Sequence, residues 1–163
     1  MSRTLCTVDL QKAVTHKDLP KTADFRAWVQ AALEGAGRRK PCDVSIRLVD
    51  ADESRTLNHQ YRQKDKPTNV LSFPSELPET VLDSLPREPL GDIIICVPVV
   101  FAEAEEQGEA ARDHWAHLTV HGVLHLLGFD HIADDEAEEM EGLEIVVLAG
   151  LGIANPYRED AGE

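Results

Sequence analysis

Apolar and polar residues alternate over residues 4–10 and again over 43–50, where Val44, Ile46 and Leu48 share a face, as half-buried strands require. Between them, Phe25, Trp28, Val29, Ala32 and Leu33 follow the spacing of an amphipathic helix that Gly35 or Gly37 ends. Asp52 is suited to cap a short helix carrying Arg55, Leu57 and Tyr61. Residues 68–73 read as a strand stopped by Pro74. The stretch holding Pro74, Pro78, Pro86 and Pro89 shows no period and reads as a loop, after which Gly91 opens a buried strand over 92–97.

Pro98 suits the first turn of a helix running over 99–107 to Gly108. A longer helix is expected over 109–127, with Gly128 at its stop. Asp134, Asp135 and Glu136 then crowd the start of a last helix, where acids favour the positive dipole end. Met140, Leu143 and Val147 give that helix its apolar stripe, and Gly150 and Gly152 end it. Helices and strands interleave without a repeat or a linker. One domain over residues 1–163 is expected, in an α+β or a small α/β layer arrangement.

Composition narrows the class. A chain of 163 residues with 42% hydrophobic and 28% charged residues can hold a core without disulfides or a stapling metal. Its three cysteines are an odd number with no C-x-x-C pair, which suggests reduced thiols and a cytoplasmic location. The longest uncharged apolar run, residues 145–154, is too short for a bilayer, and the first residues lack the apolar core of a secretory signal, so no membrane partner is expected. The net charge of −14 is uneven. Residues 1–100 are neutral, with as many basic as acidic side chains, whereas 101–163 hold only Arg112 and Arg158 against a crowd of carboxylates. The total argues against a polyanionic partner. Two local clusters run the other way: Arg55, Arg62, Lys64 and Lys66, and Arg38-Arg39-Lys40.

Five of the seven histidines fall between residues 114 and 131. On the expected helix His114, His117, His121 and His125 project into an arc of about 80°. Val120, Val123, Leu124 and Leu127 lie opposite, with Trp115 nearby. His121 and His125 stand one turn apart and can reach a single ion. Gly128 can turn the chain back, and three more residues give His131 a reach of up to ~10 Å, enough for a third nitrogen. Three imidazoles with a fourth position left to water is a catalytic zinc arrangement rather than a closed structural one. Asp130 can orient a ligand imidazole or simply serve as a turn residue. His114 and His117 are as well suited to line a substrate cleft as to sit on the surface.

The spacing matches the zincin-like motif H-E-x-x-H-x-x-G-x-x-H, but Gly122 stands where the general-base Glu would be. A peptidase of the metzincin type would need a base from elsewhere. The ion itself suits phosphodiester hydrolysis and other hydrolyses alike. Arg55, in Asp52-Glu53-Ser54-Arg55-Thr56-Leu57-Asn58, could clamp a phosphate and so weights the reading toward the former.

Two blocks then carry a resemblance. One runs from Ser54-Arg55 through Leu57-Asn58 and Tyr61-Arg62 to Lys64-Asp65-Lys66-Pro67-Thr68-Asn69-Val70-Leu71-Ser72-Phe73-Pro74. The other is His121-Gly122 through His125-Leu126-Leu127-Gly128-Phe129-Asp130-His131, continued by Asp134-Asp135-Glu136 and Met140. With Gly91-Asp92-Ile93 and Asn155-Pro156-Tyr157 as smaller landmarks, the chain resembles the YbeY family of bacterial single-strand-specific, metal-dependent endoribonucleases over about residues 43–158. The resemblance implies a small mixed four-stranded sheet packed with helices around the histidine helix. It implies one zinc ion on His121, His125 and His131, with Arg55 as the basic active-site residue and His114 as a further histidine of the cleft. The implied substrate is single-stranded RNA, above all small-subunit ribosomal RNA near its 3′ end, in ribosomal RNA maturation and ribosome quality control. The implied partners are the small subunit and its assembly factors. The general base is left open between the metal-bound water and His114. Two other readings remain: a zinc peptidase with its base outside the motif, and a non-catalytic ribosome-assembly factor with a structural metal.

Overall fold

The alternating segments pair into one mixed sheet built from β1 (Cys6–Lys12), β2 (Cys42–Val49), β3 (Val70–Pro74) and β4 (Glu88–Cys96). The strand order is β1-β2-β4-β3, with β1, β2 and β4 parallel and β3 antiparallel to β4 at the edge. These elements come from a computed structural model, which describes residues 6–129 and 134–157. Along β2 the buried residues Cys42, Val44, Ile46 and Leu48 alternate with half-buried Asp43, Ser45 and Arg47, so one face meets the core.

That face is covered by helices. α1 (Thr22–Gly35) joins the parallel pair β1 and β2, burying Phe25, Trp28, Val29, Ala32 and Leu33. α5 (Ala111–Leu126) lies at the centre of the helical layer, touching α1, β3, β4, α4 (Val97–Gln107) and α6 (Asp134–Gly150). Surrounded in this way, it buries residues on nearly every side, including Trp115, Leu118, Val120, Val123 and Leu124. This is the α+β domain, with a histidine-bearing central helix, that the sequence implied.

Close approach of α5 to the sheet depends on Gly122. A Cβ at that position would stand 3.1 Å from the Ile93 side chain and 3.3 Å from the Ser72 hydroxyl, and Ser72 Oγ donates to the Gly122 carbonyl at 3.3 Å. The glycine therefore packs against β3 and β4.

Several local expectations shift. The cap of α2 (Ala51–Arg62) is Asp50, whose carboxylate accepts from the Glu53 N–H at 2.8 Å; Asp52 lies inside the first turn, and the helix is longer than expected. The proline-rich stretch contains a short helix, α3 (Glu79–Ser84), begun directly after Pro78. β4 starts before Gly91, at Glu88, because it gains β2 as a partner. Pro89 is tolerated near its start, beside a register shift opposite Asp43 and Val44. Gly91 has φ of +141°, and a side chain there would run into the Phe73 carbonyl.

Candidate active site

Helical spacing places His121 and His125 on one side of α5, with ring centroids 4.7 Å apart and planes at 74°. Both open into a cavity of about 540 Å³, whose other walls are Tyr61, Arg62 and residues 68–73. At the end of α5, Gly128 takes φ of +102°, and the N–H groups of Gly128 and Phe129 donate back to the carbonyls of His125 and Leu124. This is the helix stop expected there. Asp130 and His131, the expected third ligand, lie outside the described residues. Among the described residues no three His, Cys, Asp or Glu side chains are gathered to hold a metal.

The donors that are described fit a metal site in their chemistry. His121 Nδ1 donates to Glu144 Oε1 at 2.7 Å, and the Glu144 side chain is fully buried. A carboxylate on Nδ1 selects the neutral tautomer whose lone pair is on Nε2 and fixes the ring, the usual outer support of a metal-binding histidine. Glu144 also accepts from the Tyr157 hydroxyl at 2.5 Å. Burial pushes its pKa up, but hydrogen bonds from His117, His121 and Tyr157 outweigh that and hold it down to about 2. The carboxylate is ionised at any neutral pH and presents a fixed negative charge to His121.

The first wall of the cavity comes from α2 and the loop behind it. Gln63, in the left-handed region at φ of +61°, ends the helix. Ser54 Oγ donates to the Thr68 carbonyl at 2.9 Å and accepts from its N–H at 3.0 Å, while Asn58 Nδ2 donates to the Lys66 carbonyl at 2.8 Å. These two buried polar residues hold the return of the chain from α2 into β3. Asn69, on the cavity wall, donates through Nδ2 to Glu103 at 3.1 Å, and its Oδ1 accepts from the Val70 N–H at 2.6 Å.

The basic residues divide differently from the expectation. Arg55 lines a separate recess with Asp52, Thr56, His59, Gln60 and Asp65. Its guanidinium holds Asp65 in a bidentate pair at 2.7 and 3.0 Å, which raises the Arg55 pKa further and lowers that of Asp65. Arg62, two turns along the same helix, is the arginine that lines the histidine cavity. His114 is sealed in: its side chain is 4% exposed, and Nε2 pairs with Glu103 Oε1 at 2.8 Å. Its Nδ1 lies 3.0 Å from Glu109 Oε1 without the alignment of a hydrogen bond. His114 is absent from the cavity lining.

The family model described as endoribonuclease YbeY matches residues 9–152. The chain belongs to the YbeY family. Its relatives include proteins named endoribonuclease YbeY from Alkalilimnicola ehrlichii, 60% identical over 87% of this chain and 84% of that one, and from Pseudomonas entomophila, 56% identical over 94% of each. One from Acinetobacter baumannii is 57% identical over 85% of this chain and 89% of its own. The solution structure of TM1509 from Thermotoga maritima shares the fold, with a TM-score of 0.55 at 24% identity, over 96% of this chain and 99% of that one. The YbeY match runs from within β1 to just beyond α6, and so takes in both walls of the cavity.

Sequence reasoning missed Glu144 and Tyr157 as neighbours of the histidines. Glu144 stands in an acid-rich helix where charge alone cannot single out the one that turns inward. The signal that was present is its spacing: Met140, Glu144, Val147 and Leu148 share the buried side of α6.

Proposed function

We propose that this YbeY-family chain is a metal-dependent endoribonuclease that cuts single-stranded RNA during small-subunit ribosomal RNA maturation, near the 3′ end, and in ribosome quality control. It acts as one domain over residues 1–163, in the cytoplasm, with the small ribosomal subunit and its assembly factors as partners. Among the described residues no helix is long and apolar enough to cross a membrane. The observation that supports the reading best is the cavity shared by His121, His125 and Arg62, in a chain whose relatives carry the name endoribonuclease.

Zinc, one ion per chain, is the proposed metal, with His121, His125 and His131 to hold it. When bound, such an ion polarises a phosphodiester oxygen and acidifies water. Glu144 keeps the His121 ring in the ligating tautomer. Arg62 takes the phosphate contact, since a guanidinium matches phosphate oxygens in planar, bidentate geometry. The parts expected of Arg55 and His114 become supporting ones: Arg55 holds the Lys64–Lys66 loop through Asp65, and His114 holds Asn69 through Glu103. Tyr61, which is 59% exposed and edge-on to Phe73 at 4.9 Å, offers an aromatic surface beside the cavity. A base must leave its duplex to reach such a surface, in keeping with single-stranded substrates. RNA contact is confined to the basic segment near the metal, on the side of the cavity that Arg62 lines.

The peptidase reading loses ground on geometry as well as on sequence. Gly122, where the base would stand, packs against Ile93 and Ser72. Cleavage of structured RNA and of casein, each with and without chelator, tests the assignment, alongside metal analysis of wild type and His125→Ala. RNA cleavage lost on chelation and in His125→Ala is the expected result. Casein cleavage instead would overturn it, and so would a chelated protein that melts far lower with no nuclease activity in either state.

A further inference from the structure

The turn that follows α6 reaches back to the histidine helix. Gly152 takes φ of +80°, and the Ile153 N–H donates to the Leu148 carbonyl at 2.8 Å, which folds the chain under the helix end. Asn155 Oδ1 then accepts from the Tyr157 N–H at 2.8 Å and sets the direction of the tyrosine. Its hydroxyl donates to Glu144 Oε2 at 2.5 Å and lies 3.2 Å from His117 Nε2. His117 Nε2 is also 3.5 Å from Glu144 Oε1, and its ring meets the Tyr157 ring edge-on at 5.4 Å.

Both oxygens of a fully buried carboxylate are thereby assigned. Oε1 takes His121 and Oε2 takes Tyr157. A buried carboxylate deprived of one donor turns toward another or draws in water, and either response loosens its grip on the remaining partner. We propose that Tyr157 is a positioning residue for the metal: its hydroxyl, with His117 beside it, locks Glu144, and Glu144 locks the His121 ring, so the turn after α6 sets metal affinity from outside the ligand set. This rests on the reading of His121 as a metal ligand. It couples an exposed C-terminal element to the cavity through one side chain.

Zinc(II) affinity of the full chain, measured by competition with a chromophoric chelator, tests the proposal in wild type, Glu144→Gln, Tyr157→Phe and the double variant. Glu144→Gln should lose about 10- to 100-fold in affinity, the range typical of such outer partners. Tyr157→Phe should lose less, by about three- to tenfold, with the metal-free protein still folded and its melting temperature lowered only by the lost donor to Glu144. The double variant should be no worse than Glu144→Gln alone, because Tyr157 acts through that residue. A second readout needs no metal: ring-nitrogen NMR of the metal-free protein should show the Nδ1–H tautomer at His121 in wild type and a mixture in Tyr157→Phe. Unchanged zinc affinity in Tyr157→Phe, losses that simply add, or an unmoved tautomer would overturn the proposal. Should wild type itself take up no zinc, the metal assignment fails, and the tautomer comparison alone decides whether Tyr157 positions His121.

Discussion

His114 and His121 lie two turns apart on one face of α5, and each pairs with a carboxylate from a neighbouring element. Their surroundings differ. Both nitrogens of His114 face carboxylates, Glu103 at 2.8 Å and Glu109 at 3.0 Å, and its side chain is 4% exposed. His121 commits Nδ1 to Glu144, is 22% exposed and lines the cavity. The same residue type at equivalent helical positions becomes a structural tie in one case and a candidate ligand in the other. The deciding factor is whether the ring meets the cavity and solvent or is sealed between elements.

The comparison is tested most severely by removing each histidine in turn. Alanine at His121 or His125 should remove bound zinc and cut RNA cleavage by more than the about 100-fold expected of an outer partner. His114→Ala should instead lower stability by about 2–5 kcal/mol, the cost of emptying a buried, packed ring position, while metal uptake survives. Zinc lost from His114→Ala with its fold intact would erase the distinction.

The arginines of α2 sharpen the same contrast between cavity and periphery. Arg62→Ala is expected to slow cleavage about 100-fold, as loss of one donor to developing charge does elsewhere. Arg55→Ala, removing a solvent-exposed pair with Asp65, should stay within about threefold of wild type. Equal losses in steady-state assays would return Arg55 to the reaction itself. Next in size, Gly122→Ala should cost about 1–3 kcal/mol in denaturant unfolding, because its Cβ presses on Ile93. The smallest effect belongs to the loop: Lys64→Ala or Lys66→Ala should flatten the salt dependence of single-stranded RNA binding by about 0.7 in log–log slope for each phosphate that is no longer neutralised. An unchanged slope would place the RNA path elsewhere.

Periodic features were legible along the chain because they are local. The spacing of Phe25, Trp28, Val29, Ala32 and Leu33, the alternation of β2 and the helix stop at Gly128 each depend on neighbours within a turn or two. The proline-rich stretch misled for the opposite reason. β4 begins at Glu88 because a distant strand supplies hydrogen bonds, and no local pattern announces that. Arg55 and Arg62 share one helix, and only the packed fold shows that Arg62 lines the histidine cavity while Arg55 pairs with Asp65.

The amino-acid order by itself determined the helix that carries the histidines, the one-turn separation of His121 and His125, the glycine that ends it and the kinship those motifs carry. Only the tertiary structure decided which carboxylate reaches which imidazole. Glu144 lies 23 residues beyond His121 on another helix, and its partner Tyr157 13 residues further still. Spacing constrains what shares a face of one element, but hydrogen bonds between elements depend on how the helices pack, and that is settled by the whole core at once.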